Sequence, residues 1–385
     1  MVTAKIKHYR YPWRENNRFE LLVDGDKFFP AMLQAINAAR SHVLLELYLF
    51  ESGRVAERFI RALTAAAGRG IQVYLLLDDF GARGLHHHDL RTLQKGGVNI
   101  AYFNPLRYGS LRRNLRRDHR KLLVVDGASA FTGGVGLTDD FDMTDNPGAW
   151  HDIMVRAQGP VVADWQHLFE QNWNRWALPA LKLPSPATPA SPGADCGRVV
   201  FNSPGHAGVK RSLIKHLRNA EERIWLATAY FLPSRKIRRL LRRAAKYGVD
   251  VRLLLPGPHT DHPAVRHAGR RFYARLLRNG VRIYEYQPRF LHAKVLLCDE
   301  WVTIGSSNVD RWNLRWNLEA NQELLAPALA LEVRELFEED FSQSHEIHYE
   351  NWHRRPWYRR LQEWFWGTVD LWVDRHTQRR KSKKK

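Results

Sequence analysis

His292-Ala-Lys294-Val-Leu-Leu-Cys-Asp299, with Gly305-Ser306-Ser307-Asn308 close behind it, is one of two copies of a single pattern in this chain. The other is His119-Arg-Lys121-Leu-Leu-Val-Val-Asp126, followed by Gly133-Gly134. The Val/Leu-rich run after each lysine is short and bounded by turn residues, which predicts a buried β-strand. Side chains alternate across a strand, so a His and a Lys two positions apart share one face. An imidazole beside an ammonium suits an anionic oxygen: one attacks or moves a proton, the other neutralises charge. The Asp stands an odd number of positions after the His. On a regular strand it faces away, so Asp126 and Asp299 are expected to serve the strand end rather than orient their own histidines, unless a bulge resets the parity. One His-x-Lys alone reads as a solvated strand end. Two copies with the same Asp spacing and nearly the same glycine spacing are not explained by core packing.

The two copies lie inside a longer repetition. His42–Phe50 and Arg223–Phe231 read as matching strands, and Arg54–Gly70 and Arg235–Gly248 as matching helices. Ile71-Gln-Val-Tyr-Leu-Leu-Leu77 is echoed by Val249-Asp-Val-Arg-Leu-Leu-Leu255, and Gly97-Val-Asn-Ile by Gly280-Val-Arg-Ile. Segments recurring in order indicate a duplicated α/β unit, and strands alternating with helices favour mainly parallel sheets covered by helices. A helix over 26–40 with an Asp26 cap is expected to open the first unit. The Pro/Ala-rich stretch Leu178–Gly197 reads as a linker. The expected organisation is a first half over 1–177, a linker over 178–197, a second half over 198–345, and a Trp-rich C-terminal segment with a basic tail over 346–385. Related halves can pack about a pseudo-twofold axis and bring equivalent strand ends to one cleft.

With 385 residues, 44% hydrophobic and 26% charged, the chain is globular. A formal net charge of +20 implies polyanionic company: nucleic acid, an anionic membrane surface or phosphorylated substrates. Cys196 and Cys298 make no disulfide framework, and Cys298 reads as a small core residue. Met1–Arg14 lacks the apolar run of a signal peptide, and no stretch predicts a transmembrane helix.

At the doubled motif the chain resembles the phospholipase D superfamily, whose signature is the paired His-Lys-Asp pattern, over roughly Asn16 to Asp340. Thr132-Gly-Gly-Val-Gly136, Tyr230-Phe-Leu-Pro-Ser234 and Asn308-Val-Asp-Arg-Trp-Asn-Leu-Arg-Trp-Asn-Leu-Glu319 are most similar to compact bacterial cardiolipin synthases without transmembrane helices. The resemblance implies two α/β/α halves about a pseudo-twofold axis with one shared active site, and phosphatidyl transfer through a covalent phosphohistidine without metal or other cofactor. It carries His119, Lys121 and Asp126 with His292, Lys294 and Asp299 into the catalytic set. It assigns His119 as nucleophile and His292 as acid/base, although the near-symmetry of the motifs leaves the reverse open. It also implies a carboxylate paired with each histidine, often across the halves. Asp152 and Glu319, single acids ahead of predicted strands, are the candidates. Ser306 and Asn308 are candidate phosphate donors. In the first copy Gly134 replaces the Ser and Gly136 the Asn, so the backbone N–H groups of Gly133 and Gly134 are expected to substitute.

The expected partners are phospholipids, with phosphatidylglycerol the natural substrate of such an enzyme, and an anionic membrane surface; nucleic acid rests on bulk charge alone. His86-His87-His88 has no acid or Cys cluster spaced to complete a metal site. The basic loop Arg107–Arg120 is read either as solvated or as a headgroup contact, and the basic helix Arg235–Lys246 as a solvated face. After Pro356, Trp357, Leu361, Trp364, Thr368 and Trp372 fall on one helical stripe, ahead of a cationic tail. This suits a helix lying in the bilayer interface, against the alternative of a cap on the core. The expected location is peripheral, on the cytoplasmic face of the cell membrane. A phospholipase D using water, a nucleic-acid phosphodiesterase and a non-enzymatic basic scaffold remain the alternatives.

Overall fold

The computed structural model describes residues 11–109, 111–144, 146–184, 193–203, 205–356 and 366. The first half supplies β1 (Arg14–Val23), β2 (His42–Leu47), β3 (Gln72–Asp78), β4 (Asn99–Phe103), β5 (Leu122–Val125), β6 (Ser129–Gly133) and β7 (Ile153–Gln158). The second supplies β8 (Asp195–Ser203), β9 (His206–Ala207), β10 (Arg223–Thr228), β11 (Asp250–Pro256), β12 (Arg282–Tyr286), β13 (Lys294–Cys298), β14 (Trp301–Gly305), β15 (Glu319–Leu325) and β16 (Ser344–Glu346).

These strands form one continuous sheet. From its centre outward the first half runs β1-β7-β6-β5-β2-β3-β4, and the second β8-β15-β14-β13-β10-β11-β12, with β16 added at the far edge. Each strand has its counterpart at the same rank, and the halves meet where β1 pairs antiparallel with β8. The duplicated α/β architecture expected from the repeats is therefore present, with a pseudo-twofold axis at the β1–β8 seam. The expectation of mainly parallel sheets is corrected. Only β2-β3-β4 and β10-β11-β12 are parallel; the motif strands and their neighbours are antiparallel. The reason is connection length. Strands separated by a helix can cross over and run parallel, whereas a tight turn such as Asp126-Gly127 forces a hairpin.

Alternation of side chains distributes the core. Leu123 and Val125 join a cluster with the helices Gly25–Asn37 and Arg54–Gly68 on one face, while Leu122 and Val124 face the other. That second face is shared by both halves and covered by the helices Val161–Trp176 and Pro327–Ser342. Trp165, fully buried, donates across it from Nε1 to Gln322 Oε1 (2.7 Å). Cys298 is buried in β13, and burial pushes its thiol up to about 12, so it is inert at neutral pH.

Asp24 precedes the first helix, not Asp26. Asp26 lies exposed in the first turn beside Lys27, and Asp24 makes no side-chain cap because its carboxylate is used elsewhere. The structure also moves two expected boundaries. Leu181 is buried in the shared core and β8 begins at Asp195, inside the expected linker. Likewise β16 pairs with β12, and Trp352 is buried against Tyr273, so the second half's core continues past residue 345. The stripe positions Trp357, Leu361, Trp364, Thr368 and Trp372, and the basic tail, lie outside the described residues. No helix among the described residues is long and apolar enough to cross a membrane.

The motif aspartates have one shared task. Asp126 accepts hydrogen bonds from the backbone N–H groups of Arg40, Ser41 and His42 (2.9, 2.8 and 2.9 Å). Asp299 accepts from Glu221, Glu222 and Arg223 (3.1, 2.9 and 3.0 Å). Each ties the hairpin of its motif to the start of the neighbouring strand, from a left-handed backbone position (φ 54° and 52°) that short acidic side chains tolerate. Asp126→Ala is expected to cost about 2 kcal/mol of stability, read from the denaturant midpoint. Specific activity per folded molecule should be unchanged; a large loss of turnover in fully folded protein would refute the structural role.

Candidate active site

The loop ahead of each motif strand is bonded to the opposite half. His119 donates its backbone N–H to the Leu318 carbonyl (2.9 Å), and Leu318 donates back to Arg117 (2.9 Å). In mirror fashion His292 donates to the His151 carbonyl (2.8 Å), and His151 to Phe290 (2.9 Å). Each histidine is thereby set beside the residue that follows Leu318 or His151, which is Glu319 or Asp152. His119 Nδ1 lies 3.1 and 3.2 Å from the two carboxylate oxygens of Glu319. His292 Nδ1 lies 2.6 Å from Asp152 Oδ2. A carboxylate at Nδ1 selects the tautomer that donates from that nitrogen and leaves the Nε2 lone pair for chemistry.

Lys121 and Lys294 begin their strands two residues on and fold back. Lys121 Nζ donates to the His119 carbonyl (2.8 Å). Lys294 Nζ donates to the His292 carbonyl and stands 2.9 Å from His292 Nδ1. Burial pushes Lys121 down to about 7 and Lys294 to about 8, against the pull of Glu319 and Asp152. Burial, then Lys294, pushes His292 down to about 4; His119 is lowered mainly by burial. Lys121, from the first half, feels Glu319 and Lys294 of the second, so the charged groups of the two motifs act on one another across the seam. An arriving phosphodiester anion would favour the charged lysines and enter a site already lined with donors.

The remaining candidates separate. Asp126 and Asp299 do not join the pocket, as described above. Gly133 is a strand residue pressed against β7: a Cβ there would stand 2.5 Å from the Ile153 carbonyl. A Cβ on Gly134 would stand 2.3 Å from Asp152 Oδ2. The structure thus gives these glycines a steric role in place of the expected phosphate cradle: Gly134 makes room for the carboxylate that holds His292. Ser306, at the equivalent position, donates its hydroxyl to Glu319 Oε2 (2.5 Å) and accepts from the Ala320 N–H (3.1 Å). Its hydrogen-bonding capacity goes to orienting Glu319 rather than to a phosphate. Asn308 differs. Its carbonyl accepts from Thr228 Oγ1 and the Tyr230 N–H (both 3.3 Å), which leaves its buried Nδ2 without a partner, ready to donate to an anion. Gly134→Ser is expected to lower kcat by about a hundredfold, comparable to loss of a general base, with a retained thermal midpoint. Near-native turnover would refute the steric role.

A charged cluster behind Asp152 is absent from the expectations. His151 Nδ1 lies 2.8 Å from Asp24 Oδ1 and its Nε2 3.2 Å from Asp340 Oδ2, with Arg289 also bonded to Asp24. Asp24 in turn accepts the Asp152 N–H (3.2 Å) and donates its own N–H to the Asp152 carbonyl (3.0 Å). Burial opposes charge on His151, but hydrogen bonds to Asp24 and Asp340 outweigh it and push the ring up to about 10. A raised folded value means that this stabilisation is complete below about 6.5 and is lost as pH rises through about 10. The thermal midpoints of wild type and His151→Gln should therefore differ most at about pH 6 to 6.5 and converge as pH rises toward about 10. A difference that stays constant with pH would refute the charged assignment. His151 lies in the Trp150-His-Asp phrase, but its partners are 127 and 189 residues away, and no local signal names them.

The other basic and histidine-rich stretches fall mostly outside the pocket. In the loop Arg107–Arg120, Arg117 pairs with buried Asp78, Arg120 reaches Glu46, and Arg113 donates to Asn104 (2.8 Å). These three are structural, and a headgroup role does not extend to them. Aromatic rings of Phe141, Trp150 and Phe290 surround His292, with centroids 5.4, 5.2 and 5.7 Å away. Tyr48 lies 5.0 Å from His119. Among the described residues no three His, Cys, Asp or Glu side chains converge as metal ligands, and His86, His87 and His88 are exposed.

A duplicated α/β sheet with two His–carboxylate pairs and two buried lysines across its seam defines a phosphoryl-transfer enzyme with a single composite site. The family model "Cardiolipin synthase, PLD-like domain" matches residues 32–173 and 213–341, and the chain belongs to this family within the phospholipase D superfamily. Cardiolipin synthase A of Pseudomonas aeruginosa is 36% identical over 94% of the chain and 74% of its own length. Cardiolipin synthase B of Salmonella typhi is 36% identical over 80% and 76%. In fold, the chain is similar to phosphatidylserine synthase of Haemophilus influenzae (TM-score 0.71, 12% identity, 93% and 94% covered).

Proposed function

We propose that the protein is a phosphatidyltransferase of cardiolipin synthase type, acting on phospholipids at a membrane surface. The observation that carries this reading is the pairing of each motif histidine with a carboxylate of the opposite half, in a chain 36% identical to cardiolipin synthases along most of its length. His119 Nε2 attacks the phosphorus of one phosphatidylglycerol, forming a P–N bond as the P–O bond to glycerol breaks, and His292 gives the leaving oxygen its proton. The hydroxyl of a second phosphatidylglycerol then passes its proton to His292, and its oxygen attacks phosphorus, breaking the P–N bond. Lys121, Lys294 and Asn308 hold the non-bridging oxygens. A second reading exchanges the histidines: burial and then Lys294 hold His292 down to about 4, which suits an unprotonated nucleophile.

The similarity to cardiolipin synthases along most of the chain favours an acceptor with a lipid body over water. Purified protein incubated with head-labelled phosphatidylglycerol tests this by product chromatography. Release of labelled glycerol with cardiolipin as the lipid product is the expected result. Phosphatidic acid as the sole lipid product would reassign the enzyme as a hydrolase, and turnover of single-stranded DNA in place of lipid would refute the reading. Peripheral attachment at the cytoplasmic face is part of the same proposal, supported by the net charge of +20. Because Trp352 is core, a truncation testing the Trp stripe must begin beyond Pro356.

A further inference from the structure

The duplication supplies an internal control for surface charge. In the first half, the helix Arg54–Gly68 follows the second strand of the unit, and its arginines face carboxylates. Arg54 and Arg58 approach Asp142 (3.9 and 3.1 Å), and Arg61 approaches Glu57 (3.7 Å). Among the described residues, no carboxylate pairs with Arg235, Arg238, Arg239 or Arg242 of its second-half counterpart, Arg235–Lys246. The bridge between Phe50 and Leu137 corresponds to that between Leu232 and Asp310. On that alignment Asp139 and Asp142 are replaced by Trp312 and Arg315. Neither Ser234–Val249 nor His262–Tyr284 contains an Asp or a Glu.

These two acid-free segments form the walls of one cleft of about 440 Å³, lined by Arg235, Arg238, Arg239, Arg242, Arg271 and Arg275. Phe272 forms its floor, with the guanidinium carbons of Arg238 and Arg271 4.1 and 4.5 Å from its ring. Arg238 is held there with its Nε buried and without a hydrogen-bond partner. Burial, then the neighbouring Arg271, Arg235 and Arg275, pushes it down to about 10. An ordinary solvated basic helix intersperses acids at i±4 and keeps its cations in water. Here Arg235, Arg238, Arg239, Arg242 and Arg275 converge on a concave surface with no carboxylate in either wall segment, a concentration of positive charge that suits an anion.

We propose that this cleft binds the phosphodiester headgroup of an anionic phospholipid that is not the reacting one, holding the enzyme on the bilayer beside its mouth. Guanidinium forks match phosphate oxygens two at a time, and a phosphodiester between several arginines can be held from more than one side, whereas a halide offers no paired oxygens. The cleft also lies where a bilayer would reach it. The helix Arg235–Lys246 begins five residues after Tyr230, whose N–H bonds Asn308 in the catalytic pocket. The second wall follows Asp261, which accepts from the Tyr230 hydroxyl. The occupant's identity rests on the phospholipid reading of the active site, but binding does not depend on transfer chemistry.

The test uses the full chain and compares a cleft triple variant (Arg235→Gln, Arg239→Gln, Arg275→Gln) with a charge-matched control on the first half (Arg83→Gln, Arg91→Gln, Lys95→Gln). All six positions are exposed. Co-sedimentation with phosphatidylcholine vesicles, with and without phosphatidylglycerol, is measured alongside turnover of substrate in detergent micelles. The expected result is about tenfold or more weaker binding of the cleft triple to the anionic vesicles, against at most about twofold for the control. Micellar turnover should be unchanged in both. Equal losses in the two triples would mean bulk charge and overturn the site. Displacement of wild type from vesicles by millimolar glycerol phosphate, with an equal rise in its thermal midpoint, would reassign the cleft to a free phosphate ester. Loss of micellar turnover in wild type would instead count against the proposed function and leave the vesicle result to be judged separately.

Discussion

His119→Ala is expected to lower kcat/KM for phosphatidyl transfer by about 10⁴-fold or more, because it removes the atom that forms the covalent bond. His292→Ala is expected to cost about 10²- to 10⁴-fold on a natural substrate, the usual range for a lost general acid. The two variants part on a phosphatidyl ester with a good leaving group, such as nitrophenol. That substrate needs no protonation to depart, so His292→Ala should release nitrophenol in a burst and accumulate phosphatidyl-histidine. His119→Ala should release none. Acid quenching followed by phosphopeptide mapping reads both outcomes. A burst in His119→Ala with label on His292 would establish the exchanged assignment. Wild-type turnover in either variant would remove the covalent mechanism.

Asp152→Ala is the second large effect. It removes the partner 2.6 Å from His292 Nδ1, and Lys294 loses a carboxylate 4.0 Å away. The imidazole is then free to adopt the wrong tautomer, a loss of the order of 10²- to 10⁴-fold in kcat in comparable triads, with little change in KM. Glu319→Ala should act in the same way on His119, which sits within 3.1 Å of that carboxylate. Because the pairs act as a unit, the double variant should be far less than multiplicative. Full activity in both single variants, measured on protein with a native thermal midpoint, would show that the carboxylates only tie the halves together.

Much of this site is local in the chain and so was readable in it. The His-x-Lys spacing places both side chains on one strand face, and the same rule sends Asp126 and Asp299 away. The structure finds them capping β2 and β10, outside the catalytic set to which family resemblance had assigned them. The glycines were misread for a physical reason. A glycine beside a motif signals a close approach, but not of what. At Gly134 the approaching group is Asp152, not phosphate. Ser306 was misread similarly, since a hydroxyl spent on Glu319 looks the same in sequence as a free one.

The seam had no comparable signal. β1, Arg-Glu-Asn-Asn-Arg-Phe-Glu-Leu-Leu-Val, is polar over much of its length, and the start of β8 falls in a stretch that reads as linker. Yet their pairing joins the two sheets. The cluster of Asp24, His151, Arg289 and Asp340 is likewise assembled from four distant segments. The amino-acid sequence by itself determined that the unit is duplicated and which imidazoles, ammoniums and carboxylates take part, because strand periodicity and repeat spacing are properties of neighbouring residues. Only the tertiary structure decided which carboxylate serves which imidazole, that the motif strands run antiparallel, and that one copy's arginines meet carboxylates while the other's gather around a cleft between two segments that contain none. The first of those outcomes depends on contacts between residues more than a hundred positions apart, and all three have energies set by burial and by charge facing charge, neither of which exists until the chain has packed.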